Sequence, residues 1–203
     1  MGNFDITGLI SVSRQGDDDA KAELVGHFRN YLRLLAHIHL QPLLQAKFDE
    51  SDIVQETCLQ AALAFDQFRG TNEQQFAAWL RQIMANKGAG MARKYIDTGK
   101  RDVRLEEHLQ HDLDQSSIGM ENLLPAGDAS PSQDALRRER SVVLADAIAQ
   151  VRDDQREVLI RHGLEGMTVA EVAKSMGRSE ASIWKLWARG LRELRNVAKG
   201  EEA

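Results

Sequence analysis

Cysteine is almost missing from this chain: Cys58 stands alone among 203 residues. A lone thiol forms no internal disulfide and supplies no multi-cysteine zinc or iron–sulfur site, and it fits a reducing cytoplasm. Proline is nearly as scarce, at Pro42, Pro125 and Pro131 only. No apolar run approaches the roughly eighteen residues that would read as a membrane span. The start Met1-Gly2-Asn3-Phe4-Asp5 lacks the basic and apolar stretches of a signal peptide. A cytoplasmic protein without membrane insertion is therefore expected. A basic excess is missing as well, because 26 Lys and Arg against 31 Asp and Glu leave a net charge of −5. Taken as a sum, that argues against a nucleic-acid binder.

The groups that carry chemistry are equally hard to find. No nucleophile–base pair, phosphate-binding glycine loop or helical metal pair stands out. Gly88-Ala89-Gly90 follows a helical pattern rather than a strand, so it is no dinucleotide loop. His37 and His39 would point to nearly opposite sides of a helix. His108 and His111 share a face near Asp112 but lack further ligands. The expectation is a protein that is not an enzyme, with no catalytic residue, cofactor or metal.

What is present reads as helix. Leu24, Val25, Phe28, Tyr31, Leu32, Leu35 and Ile38 recur at three- and four-residue spacing, behind cap candidates at Asp17-Asp18-Asp19. Val54, Cys58, Ala61, Phe65 and Phe68 form a second stripe, capped by Asp49 or Ser51, and Phe76, Leu80, Ile83, Met84 and Met91 a third. From Thr98 to about Gln133 the periodicity fails while Gly, Ser, Asp and Pro accumulate, as in a linker. Four more helical patterns follow. With no alternating strand signal, the expected fold is all-α: two small helical domains, 1–97 and 135–203, joined by a flexible acidic linker over 98–134.

The strongest local signal is a helix-turn-helix between Thr168 and Leu194. Ala173 is small where two helices would cross, Gly177 suits a left-handed turn, and Ser179 can cap the second helix. At 100° per residue, Ile183, Leu186, Trp187, Leu191 and Leu194 fall on one face of that helix, and Ala181, Ser182, Lys185, Arg189 and Arg192 on the other. Small residues permit approach to a major groove, and long basic ones reach phosphates and base edges. A merely solvated basic face is the default, but the joint match of turn, cap and two faces argues against it. Trp184 and Trp187 are assigned to the core or its border.

Charge counted by segment agrees. Residues 81–104 hold seven basic and two acidic residues, and residues 178–199 hold six and two. Residues 105–135 hold seven acidic residues and no basic one. Exposed charges are screened beyond about 8 Å at physiological salt, so each basic patch acts on its own.

These motifs resemble a known family. Asp52-Ile53-Val54-Gln55-Glu56, Phe68-Arg69-Gly70, Phe76-Ala77-Ala78-Trp79-Leu80 and Asn86, in that order, resemble region two of bacterial sigma-70 factors. Asp153-Asp154-Gln155-Arg156-Glu157-Val158-Leu159 with Thr168 to Leu194 resembles region four. With no obvious region three between, the chain resembles the extracytoplasmic-function (ECF) class. The resemblance implies a transcription initiation factor that binds core RNA polymerase and directs it to promoters. Asp52, Gln55 and Glu56 would then dock on the β′ clamp helices, and the β flap and an anti-sigma factor would be further contacts. Arg69, Asn72, Arg81, Lys87, Arg93, Lys94 and Tyr95 would engage the minus-ten element, the loop from Phe68 to Gln75 holding an unstacked base. Trp79 is assigned to the core. Arg178, Ser179, Glu180, Ser182, Lys185 and Arg189 would read the minus-35 element. The acidic tether resembles the family's inter-region linker near the RNA path; mimicry of RNA charge and plain acid-rich disorder both remain open. Departures are Gly90 where many members carry aspartate, with Gly88 before it, a longer loop at Thr71–Gln75, and Arg152 in place of a proline. The alternative from another class is a helix-turn-helix regulator that acts without polymerase.

Overall fold

A computed structural model describes the backbone of residues 5–40, 49–96, 103–121 and 134–199; side chains of 93–96, 103, 117–121, 134–140 and 198–199 are not among those described. The described residues are helical, with no strand among them. They fall into two compact units, Met1–Ser116 and Ser117–Ala203.

In the first unit, an aspartate starts three of the helices, satisfying an orphan N–H group and opposing the helix dipole. Asp5 accepts from Gly8 N at 2.8 Å to begin α1 (Ile6–Arg14). Asp17 accepts from Ala20 N at 2.9 Å to begin α2 (Asp18–His27), and α3 runs Arg29–His39. The stripe from Leu24 to Ile38 is therefore two helices rather than one, broken at Phe28. Asp49 accepts from Ser51 N at 3.0 Å to begin α4 (Glu50–Leu63). A 3₁₀ turn (Phe65–Gln67), α5 (Glu73–Ile96) and α6 (Val103–Glu121) follow.

Few aromatic residues are available, and they are concentrated. Phe76 lies 5.1 Å from both Phe28 and Phe68, edge to face, and Trp79 stacks at 5.2 Å on Phe68. Such geometry adds about 0.5–1.5 kcal/mol per pair beyond area burial. Tyr31, Leu35, Leu80 and Met84 complete a fully buried core.

Helix α6 corrects the linker reading. Residues 103–121 are helical, and Leu109 and Leu113 are buried in the first unit, 4% and 0% exposed. Leu105, Leu109 and Leu113 form a narrow stripe at every fourth residue among acidic neighbours, so the segment has linker composition on a helical frame. Gly88 has a packing reason: a Cβ there would stand 2.8 Å from Leu40 Cδ2 and 3.7 Å from Leu109 Cδ1. The rest of the expected linker, residues 98–102 and 122–133, lies outside the described residues.

The second unit holds α7 (Asp134–Gln150), α8 (Asp153–Val158), a π-helical turn (Leu159–Leu164), α9 (Val169–Met176) and α10 (Glu180–Lys199). Where a proline is absent at Arg152, Arg156 closes α7 instead. Its guanidinium donates to the carbonyls of Ile148 at 3.0 Å, Ala149 at 2.9 Å and Val151 at 2.6 Å. Thr168 and Glu171 form a reciprocal capping box at α9. Gly177 ends α9 at φ 62°, ψ 34°, the left-handed position that glycine adopts without penalty. Ser179 Oγ accepts from Ser182 N at 3.3 Å, opening α10. Val158, Val172, Ile183 and Leu186 join the helices in one core.

Candidate nucleic-acid interface

Helix α10 has the two faces its periodicity predicts. Ile183, Leu186 and Leu194 are buried at 0%, 6% and 1% exposure. Arg178, Ser179, Glu180, Lys185, Arg189 and Arg192 are exposed, with Ser182 partly so. Arg178 is tied at 3.6 Å to Asp154 of α8, which orients it beside the turn. Of the two tryptophans, Trp187 borders the core, whereas Trp184 is 52% exposed. Both meet His162 edge to face, and the imidazole N–H donates to the Met167 carbonyl at 2.7 Å.

In the first unit, the loop between the 3₁₀ turn and α5 is folded back on itself. Arg69 Nη1 donates to the Asp66 carbonyl at 2.8 Å, and its side chain is exposed. Asn72 Oδ1 accepts from Gln75 N at 3.0 Å and so caps α5. Gln75 Oε1 accepts from Thr71 N at 2.6 Å. A hollow of about 640 Å³ beside this loop is lined by Phe68, Arg69, Gly70, Gln75, Ala78, Trp79, Gln82 and Gln110. A second, of about 480 Å³, is lined largely by amides: Gln60, Gln67, Gln82 and Asn86, with Trp79 and Lys87. Trp79 is thus partly buried rather than core, and it walls both hollows.

Arg81 does not face outward with the other basic residues. Its Nη1 donates to Tyr31 Oη at 2.8 Å and its Nε to Asp114 of α6 at 2.5 Å, with the side chain only 13% exposed. Burial works against its charge, but Tyr31 and Asp114 more than offset this and hold the guanidinium above its ordinary range. Arg81, expected at the minus-ten element, has two internal partners here and ties α3, α5 and α6 together. Lys87 is half-buried and pairs at 3.3 Å with Glu56 of α4, which links two residues expected on different interfaces. Arg93, Lys94 and Tyr95 continue α5, but their side chains lie outside the described residues.

On α4, Asp52, Gln55 and Glu56 are exposed while Ile53, Val54, Thr57 and Ala61 are buried. Two residues that the sequence reading passed over share the outer face: Leu59 and Leu63, 54% and 74% exposed. Their signal was available, since at 100° per residue both fall opposite the Val54–Cys58–Ala61 stripe. Among the described residues there is no cluster fit to hold a metal and no helix long and apolar enough to cross a membrane.

Two family models match the chain, one on each unit: "Sigma-70 region 2" over residues 27–95 and "Sigma-70, region 4" over 141–194. Together they span more than half of it. The chain belongs to the sigma-70 family. The "ECF RNA polymerase sigma-E factor" of Haemophilus influenzae is 26% identical over 168 residues, which is 83% of this chain and 82% of that one. The "ECF RNA polymerase sigma factor BldN" of Streptomyces coelicolor is 24% identical over 186 residues, 92% of this chain and 63% of that one. A solved structure of CnrH in complex with the cytosolic domain of CnrY is similar at 20% identity over 97% of this chain and 98% of the other, with a TM-score of 0.36. The protein is thus an ECF-class sigma factor, a transcription initiation factor of a family that works with RNA polymerase and promoter DNA. A helix-turn-helix regulator acting alone has no use for region two, and the match over 27–95 decides against that alternative.

Proposed function

We propose that this sigma factor divides promoter recognition between its two units and docks on core polymerase through α4. Helix α10 enters the major groove at the minus-35 element, where Ser179, Glu180, Ser182, Lys185 and Arg189 meet base edges and phosphates and Arg178 flanks them. The hollow beside Phe68–Gln75 holds an unstacked base of the minus-ten element, with Arg69, Asn72 and Lys87 on its approach and Arg93, Lys94 and Tyr95 further along α5. The α4 face of Asp52, Gln55 and Glu56, extended by Leu59 and Leu63, meets the β′ clamp helices, and region four meets the β flap. An anti-sigma factor is a further partner on the family resemblance alone, and the protein works in the cytoplasm without catalysing a reaction of its own.

One observation carries the reading. The turn at Gly177 presents a helix whose basic, small-residue face is exposed while its apolar face is locked into the core. Run-off transcription with core polymerase tests it, using promoters selected from a library randomised at both elements. Lys185→Ala and Arg189→Ala each reduce discrimination at the minus-35 element, by about 1–3 kcal/mol where a base is contacted. Unchanged promoter preference in both variants would refute the assigned face. Glu56→Lys weakens polymerase binding while leaving the choice of minus-35 sequence intact.

A further inference from the structure

The loop that walls the larger hollow is held by local polar ties and by one from far along the chain. Arg69 reaches the Asp66 carbonyl, Thr71 N reaches Gln75, and Gln75 N reaches Asn72. The distant tie comes from 56 residues away: Arg14, in the last turn of α1, donates from Nη2 to the Gly70 carbonyl at 2.5 Å. The same guanidinium lies over the Phe68 ring, 5.8 Å from its centroid. Its helix is a firm base, because Ile6 and Ile10 are buried to 5% and 1% exposure. Gly70 is confined by its own loop as well. A Cβ there would fall 2.5 Å from Phe68 Cζ and 2.6 Å from Gln75 Cβ. The loop backbone at Gly70 therefore meets both the Phe68 and Gln75 side chains and a cation carried on α1.

We propose that Arg14 is a positioning residue for promoter selection: α1 fixes, through the Gly70 carbonyl and the Phe68 ring, where the rim of the base-holding hollow stands. This rests on the reading that the hollow takes a minus-ten base. Arg14 lies outside the region-two match over 27–95, on a helix that the match does not cover. The chemistry sets the role apart from ordinary phosphate attraction. A cation that meets phosphate weakens binding uniformly across sequences when removed, and makes binding less salt-dependent. A cation that holds a loop changes discrimination at the one base the loop borders.

The full chain with core polymerase distinguishes these, using a matched promoter and variants substituted singly through both elements. Arg14→Ala lowers discrimination at one minus-ten position by roughly three- to tenfold, the net worth of one solvent-exposed hydrogen bond. Discrimination at minus-35 and the thermal midpoint of the protein stay as they were, and Arg14→Lys, which keeps a charged donor, recovers part of the loss. Uniform loss at every promoter with weaker salt dependence would make Arg14 a phosphate contact and overturn the proposal, as would no change at all. Gln75→Ala and Arg69→Ala serve as the reference, since both residues line the hollow itself. If they alter minus-ten discrimination and Arg14→Ala does not, the inference about Arg14 falls while the hollow keeps its role. If neither of them alters it, the role of the hollow falls too.

Discussion

Replacing Arg81 by methionine would take away the donor that Tyr31 Oη and the Asp114 carboxylate share. Removing one member of a largely buried, hydrogen-bonded charge pair costs about 2 kcal/mol, lowered here because Asp114 keeps access to water. Urea unfolding of Arg81→Met should show that loss, and restoring a methyl-compatible partner through Asp114→Leu should return part of it. His39 carries a pH dependence of known sign. Burial lowers its pKa below the ordinary 6.5, against a weaker opposing pull from Asp112. The unfolded chain then binds the proton more readily than the fold does. Its contribution is fully present above about pH 6.5 and is lost as pH falls below that value. The melting temperature should therefore drop on acidification through this range, and the drop should be smaller in His39→Gln.

At the scale of elements, the turn at Gly177 is set by backbone geometry alone, for a side chain there would meet no atom within 4 Å. Gly177→Ala must place a Cβ at φ 62°, which costs about 1 kcal/mol, while Gly177→Asn costs less. Chemical denaturation followed at Trp184 and Trp187 on α10 reads this difference. Helices also show what could be read in advance. Helix α10 was legible because five apolar residues share one face and its cap and turn residues are local signals. The outer face of α4 was legible for the same reason at Asp52, Gln55 and Glu56. Helix α6 was not, since its burial depends on Leu109 and Leu113 finding a distant surface. Nor could the basic run of α5 reveal that Arg81 points at Tyr31, because a charge's partner is a property of packing. The tie between Arg14 and Gly70 spans too much chain for any local pattern to signal it.

For the whole molecule, neither unit is basic: residues 1–116 hold 17 acidic and 13 basic residues, and residues 117–203 hold 14 and 13. Attraction to DNA must then come from faces, and the faces hold fewer available cations than the sequence count suggests. Each phosphate contact on duplex DNA steepens log affinity against log salt by about 0.9. Arg189→Ala should flatten the slope for polymerase-bound sigma factor on its promoter by about that amount if Arg189 meets a phosphate, whereas Arg81→Met should leave it unchanged. The placement of the three tryptophans has a practical consequence. Trp79 stands between the two hollows of the first unit, and Trp184 and Trp187 flank His162 in the second. Indole emission is sensitive to polarity, so the protein carries a native optical reporter in each unit. A chain left with Trp79 alone would report what enters either hollow, and one left with the other pair would report changes at the exposed face of α10.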